Sequence, residues 1–168
     1  TTMDYTDIAV NKRDHVAYIT INRPKVMNAF RGQTCEELIH AFGHVGFDSD
    51  VGVIVFAGAG DRAFCTGGDQ SVHEGQQYDG RGTVGMPVEE MHAAIRDVPV
   101  PVIAKVQGIA TAAGCQLVAQ CDLAVAARDA RFAVSGVNLG LFCSTPSVAL
   151  SRNLGRKAAF EMLVTGQF

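Results

Sequence analysis

Apolar and polar positions alternate along TDIAVNKRDHVAYITINRP, the pattern of a β-hairpin with its turn near Asn11–Asp14 and a second strand over His15–Ile21. Pro24 closes that strand. Over residues 33–46 the spacing lengthens: Leu38, Phe42 and Val45 fall at i, i+4 and i+7 with Ile39 beside them, which predicts a helix stopped by Gly46. VGVIVFAG (51–58) and VPVIAKV (100–106) are short continuous apolar runs, the kind of strand covered on both faces. Between them, Asp69 to Pro87 is rich in Gly, Gln and charge and predicts a long loop. PVEEMHAAIRDV (87–98) follows as an amphipathic helix with proline at its start and an apolar face of Val88, Met91 and Ile95. GIATAAGCQLVAQC turns into a helix, DLAVAA (122–127) predicts a strand, and helices follow over 145–153 and 155–164.

VIVFAGAG and VIAKVQGIA each run from a buried strand into small residues. Strand, small-residue turn and helix, repeated, predict stacked β–β–α units winding around a mostly parallel sheet, an α/β architecture in a single domain over 1–168. The net charge of −3 disfavours a broad nucleic-acid face. No apolar run approaches the ~20 residues that cross a membrane, and TTMDYTDIAV carries no signal-peptide pattern. Five cysteines, an odd number with no C-x-x-C pair, fit a reducing, cytoplasmic setting with no metal. His40 and His44 stand four apart on a helix but lack an evident third ligand.

Small residues follow each buried run: Thr66-Gly67-Gly68 after the first, Ala112-Ala113-Gly114 after the second. The first turn of a helix leaves N–H groups without internal partners. In a parallel sheet both turns lie at one edge, so their donors converge. Two converging donors stabilise a developing oxyanion by roughly 3–4 kcal/mol each. The plainer reading is that the glycines only make tight turns. GAG (58–60) lacks the third glycine of a dinucleotide fingerprint.

INRPKVMNAF (21–30), DRAFCTGGD (61–69), PVIAKVQGIATAAGCQL (101–117), CDLAVAARDARFA (121–133) and GRKAAFEMLVTG (155–166) together resemble the crotonase (enoyl-CoA hydratase/isomerase) superfamily. The resemblance implies the ClpP-like crotonase fold and an acyl-CoA thioester as ligand, with coenzyme A entering as part of the substrate and no other cofactor. It assigns the oxyanion hole to the backbone N–H groups of Gly68 and Ala113. Thr66, Gly67 and Gln70 would line the CoA path, and Lys25, Val26 and Met27 would lie near its nucleotide end. Residues 5–107 look most like 2-ketocyclohexanecarboxyl-CoA hydrolase, a ring-opening enzyme, and also resemble the naphthoyl-CoA synthases. Residues 108–168 look more like a hydratase-like branch, as in a mosaic.

The glutamates that hydratases of this family use fall at Gln116 and Gly136, neither of which titrates. The resemblance gives ring-cleaving relatives a glycine at the Gly136 position too, leaving room for a larger acyl group, and an aspartate where this chain has Cys143. Cys143 reads as a core cysteine, Asp69 as an acid that satisfies loop N–H groups, and His73 and Glu74 as loop residues able to swing over a ligand. Tyr78 would reach an acyl group if the loop orders on binding. Relatives run on past TGQF into C-terminal helices, so exposed apolar surface and a homo-oligomer, a trimer or dimer of trimers, are expected. Ring-opening hydrolysis of a cyclic 2-ketoacyl-CoA is the leading function. Enoyl-CoA hydration or isomerisation and an idle acyl-CoA-binding module are the alternatives.

Overall fold

The computed structural model describes residues 4–73 and 85–168. Tyr78, Glu74 and the middle of the predicted long loop lie outside the described residues. The chain opens with an antiparallel hairpin of β1 (Ile8–Arg13) and β2 (Val16–Ile21), paired from Ile8↔Ile21 to Arg13↔Val16. The turn sits later than the residue types suggest. Asp14 and His15 hold φ of 51° and 63°, and two successive positive values make the tight turn whose twist matches its flanking strands.

After the hairpin come α1 (Gly32–Val45) and β3 (Val53–Gly58), then β5 (Val102–Val106) and β7 (Leu123–Ala126). These strands form one five-stranded sheet, ordered β1-β2-β3-β5-β7, parallel except at β1. Beside it lies a second, fully parallel sheet of β4 (Ala63–Cys65), β6 (Ile109–Thr111) and β8 (Arg131–Ala133). The repeat is therefore a strand of the first sheet, a strand of the second, then a helix: α2 (Val88–Asp97), α3 (Ala113–Gln120) and α4 (Ser144–Asn153), with α5 (Arg156–Thr165) closing the chain. None of the three short strands is visible in the residue pattern, because three residues carry no period. Nor is β3 covered evenly on both faces: its residues alternate between half-buried and buried.

The core is seated where α1 meets both sheets. Phe42 of α1, Phe56 of β3 and Phe64 of β4 stack edge to face in series, each pair with centroids 5.4 Å apart, the arrangement aromatic quadrupoles favour. Glu37, buried on α1, ties the start of the chain to this core by accepting the N–H groups of Thr6, Asp7 and Ile8 at 2.9, 2.8 and 3.1 Å. Four of the five cysteines are buried thiols, and burial pushes Cys35, Cys65 and Cys121 up to about 12 and Cys115 to about 11. Large apolar side chains stand exposed mainly beyond residue 120, including Leu123, Val125, Phe142 and Phe160. No helix among the described residues is long and apolar enough to cross a membrane.

His92 is fully buried on α2, and among the described residues neither ring nitrogen has a hydrogen-bond partner. Burial, with Arg96 adding to it, pushes the imidazole down to about 4 from 6.5. The unfolded chain therefore binds the extra proton first, and stability falls as pH drops from about 6.5 towards 4. The loss at pH 5 should be about 2 kcal/mol. Denaturant titrations at pH 7.5 and pH 5 should show that difference in the native chain and a much smaller one in His92→Leu.

Candidate functional site

All three strands of the second sheet run the same way, so their C-terminal ends, Cys65, Thr111 and Ala133, emerge at one edge. The segments that follow them, Thr66-Gly67-Gly68, Ala112-Ala113-Gly114 and Val134-Ser135-Gly136, are gathered there. Ala112 N–H donates to the Ala133 carbonyl at 3.0 Å, which ties the second bend to the third. The first and second bends touch. A methyl added to Gly67, which has φ of 95°, would lie 3.3 Å from both the Ala112 methyl and the Ala113 nitrogen. Gly114 lies so close to the Cys65 carbonyl that no side chain fits between them.

Ala113 is the first residue of α3, so its N–H has no carbonyl one turn back to bond. Among the described residues, neither the Ala113 nor the Gly68 N–H donates to a backbone acceptor. The bend that presents Ala113 is strained. Ala112 sits at φ 51°, ψ −125°, a conformation that favours glycine. No residue type announces it, and the sequence reading missed it. Ala112→Gly should relieve more strain than it costs in chain entropy, a net gain of about 1 kcal/mol. Thermal unfolding should then rise by about 2–4 °C.

The Gly67–Gly68 bend is held from below by a buried ionic network that sequence reasoning also missed. Asp69 accepts from Arg23 Nη1 at 2.9 Å and from the Ser71 N–H and hydroxyl at 3.0 and 2.6 Å. Burial alone would raise its carboxyl, but Ser71 and Arg23 outweigh burial and hold it below the ordinary value. Its oxygens are engaged within the loop, as expected, and it is no free base. Arg23 also lies 3.6 Å from Asp7, which takes both arms of the Arg31 guanidinium at 2.8 Å and the Thr34 hydroxyl at 2.6 Å. Asn28, at φ 55°, bonds the Arg23 N–H and the carbonyls of Ala59 and Ala63.

The residues expected along the CoA path are partly brought together. Met27, left-handed at the end of the short Pro24–Val26 turn, offers its carbonyl to the Thr66 hydroxyl at 3.4 Å. Gln70 is exposed and donates to the Gly68 carbonyl at 3.2 Å. Lys25 and Val26 are exposed on the same turn as Met27. Gln116 is buried in the first half of α3, 5% exposed. His40 packs on Tyr5, whose hydroxyl lies 2.8 Å from its Nδ1, and stacks on His44; no group of three metal-ligating side chains occurs among the described residues. An apolar cleft of about 390 Å³ lies elsewhere, between Cys115, Val118, Leu123, Leu150 and Met162, and none of the expected site residues lines it.

At Gly136 the structure corrects the expectation of open space. A methyl there would meet Cys143 Sγ at 2.6 Å and the Leu141 carbonyl at 3.0 Å. The room a larger acyl group was expected to use is filled by the chain's own thiol. Cys143 caps the start of α4, half-buried against a small apolar cluster with Cys115, Val134 and Leu150. Restoring a carboxylate by Gly136→Glu should therefore cost stability, about 1–3 kcal/mol from overpacking. Gly136→Glu combined with Cys143→Ala should recover part of that loss in denaturant titration.

The family model described as enoyl-CoA hydratase/isomerase matches residues 11–168, and the chain belongs to that family, the crotonase superfamily. "Enoyl-CoA hydratase domain-containing protein 3, mitochondrial" of Mus musculus is 41% identical over 160 residues, 95% of this chain and 53% of that protein. Its Homo sapiens counterpart is 43% identical over 155 residues, 92% of this chain and 51% of the relative. Among solved structures, an enoyl-CoA hydratase of Mycobacterium smegmatis superposes with a TM-score of 0.86 at 49% identity, over 97% of this chain and 64% of that one. The chain spans about half the length of the curated relatives it matches. Both halves match the same relatives, and the fold is that of the superfamily.

Proposed function

We propose that this chain binds an acyl-CoA thioester with its carbonyl oxygen between the N–H groups of Gly68 and Ala113. The observation that carries this reading is the contact between the Gly67 and Ala112–Ala113 bends, which sets two backbone donors at one sheet edge. Such donors act where negative charge develops, on an enolate or a tetrahedral oxyanion. Thr66, Gly67 and Gln70 then flank the CoA arm, and Lys25, Val26 and Met27 its nucleotide end. In this reading the chain assembles as a homo-oligomer, a trimer or dimer of trimers, for which the apolar side chains exposed beyond residue 120 offer a surface. Five free cysteines suit a reducing compartment, the cytoplasm or, as the names of the vertebrate relatives have it for those proteins, the mitochondrion.

The reaction we favour is hydrolytic opening of a cyclic 2-ketoacyl-CoA. Water adds to the ring ketone, the bond from that carbon to the α-carbon breaks, and its electron pair passes into the thioester enolate. A proton then returns to the α-carbon. Two donors on the thioester oxygen lower the energy of that enolate. Hydratase or isomerase chemistry is equally supported by the family description. Against it stand Gln116 and Gly136, which cannot exchange a proton. That same lack favours, as a second reading, a module that binds acyl-CoA without turning it over.

Incubation with 2-ketocyclohexanecarboxyl-CoA should yield pimeloyl-CoA, followed by chromatography of the thioesters, while crotonyl-CoA stays unchanged. Hydration of crotonyl-CoA would overturn the reading. Saturable binding of both thioesters with no product from either would leave the binding module.

A further inference from the structure

We propose that Cys115 and Cys143 are a reversible redox pair, whose disulfide draws the Cys143 sulfur off Gly136 and clears the third bend of the site. The pairing stands on packing and needs no ligand. Only its bearing on an acyl group rests on the acyl-CoA reading above.

The five cysteines divide by their surroundings. Cys35, Cys65 and Cys121 belong to the main core. Cys115 and Cys143 instead share the smaller cluster built on Val134, Leu150 and Leu163. Cys115 is the third residue of α3, and Cys143 stands just before α4, so the pair bridges two consecutive helices. Both thiols are free. They lie near enough to sense each other's charge: burial first, and Cys143 second, push the Cys115 thiol up to about 11.

Cys143 is the one cysteine of the five that is not buried, so an oxidant reaches it first. Cys115 is almost fully buried but lines the apolar cleft of about 390 Å³, which gives its sulfur room to turn. The oxidant is a small disulfide such as oxidised glutathione. The Cys143 thiol gives its proton to solvent and its sulfur attacks the small disulfide, releasing one small thiol. The Cys115 sulfur, deprotonated in turn, attacks the Cys143 sulfur of the mixed disulfide and expels the second small thiol. Two protein thiols are oxidised, one small disulfide is reduced, and the two protons end on the released thiols. The second attack is the slow one, because burial keeps Cys115 protonated.

A disulfide holds its sulfurs about 2 Å apart. In the reduced chain the Cys143 sulfur stands 2.6 Å from where a methyl on Gly136 would lie. Drawn onto Cys115, it vacates that place and leaves the Leu141 carbonyl, at 3.0 Å, as the nearest neighbour. Gly136 follows Ala133 by three residues, and the Ala133 carbonyl accepts the Ala112 N–H. The space therefore opens on the bend tied to the Ala112–Ala113 turn. Oxidation enlarges the room beside the oxyanion donors, and reduction fills it again.

Mass spectrometry after equilibration with excess oxidised glutathione tests the pairing. The native chain should lose the mass of two hydrogens, and trypsin should release residues 106–128 joined to residues 132–152. Residues 106–128 also hold Cys121, so Cys121→Ser should keep the bond, while Cys115→Ser and Cys143→Ser should each abolish it. Excess reduced glutathione should restore both thiols. Thermal midpoints read the clearing of the bend: Gly136→Ala should melt about 5 °C below the native chain when both are reduced, and about half of that gap should close when both are oxidised. Glutathione held on Cys143 with no internal bond formed, a bond that survives Cys115→Ser, or a gap that oxidation leaves unchanged would each overturn the inference. Failure of the acyl-CoA reading shows separately, as no thioester bound in either redox state.

Discussion

Everything at the sheet edge depends on how closely α3 approaches β4. Gly114 lies against the Cys65 carbonyl with no space for a Cβ. That contact brings the first turn of α3 down onto the end of the strand and places Ala113 beside Gly67. A helix start is normally solvated or capped by a side chain. Here the N-cap is Ala112, which has no side chain to cap with. The donor is kept open by the backbone itself, at the cost of a left-handed alanine. Packing, strain and exposed amide are three aspects of a single contact.

The network beneath the other bend complements this. Arg23, Asp7, Arg31 and Asp69 lie far apart in sequence yet fasten the hairpin, the start of α1 and the Gly67–Gly68 bend to one another. Buried charges of this kind are expensive unless every partner is present. Here Thr34 and Ser71 fill sites the arginines leave on the two carboxylates. The network also engages the Asp69 carboxylate with Arg23 and Ser71 and holds it below the ordinary value.

How far the fold was legible followed the length and period of each element. The helix over Leu38, Phe42 and Val45 and the apolar runs of β3 and β5 carry enough residues to show a period, and they stand where the pattern puts them. Strands β4, β6 and β8 have three residues each and are defined by pairing partners some twenty to fifty positions away. No local pattern encodes that. The glycines at 67, 68 and 114 marked the site because a missing Cβ is visible in sequence. The conformation of Ala112 is not visible, since alanine gives no sign of a positive φ. Nor was the filling of the Gly136 position by Cys143, seven residues on, because it depends on how the intervening turn folds back.

The two fully sealed thiols have one more implication. A thiol kept neutral and occluded reacts slowly with peroxides, disulfides and alkylating reagents, because the thiolate is the reactive species. Cys35 on α1 and Cys65 at the end of β4 are both held in that state, with no exposed surface. Their modification must wait for the surrounding structure to part. The chain thus carries a pair of internal clocks, and the order in which the two react would time the opening of α1 and of the second sheet separately.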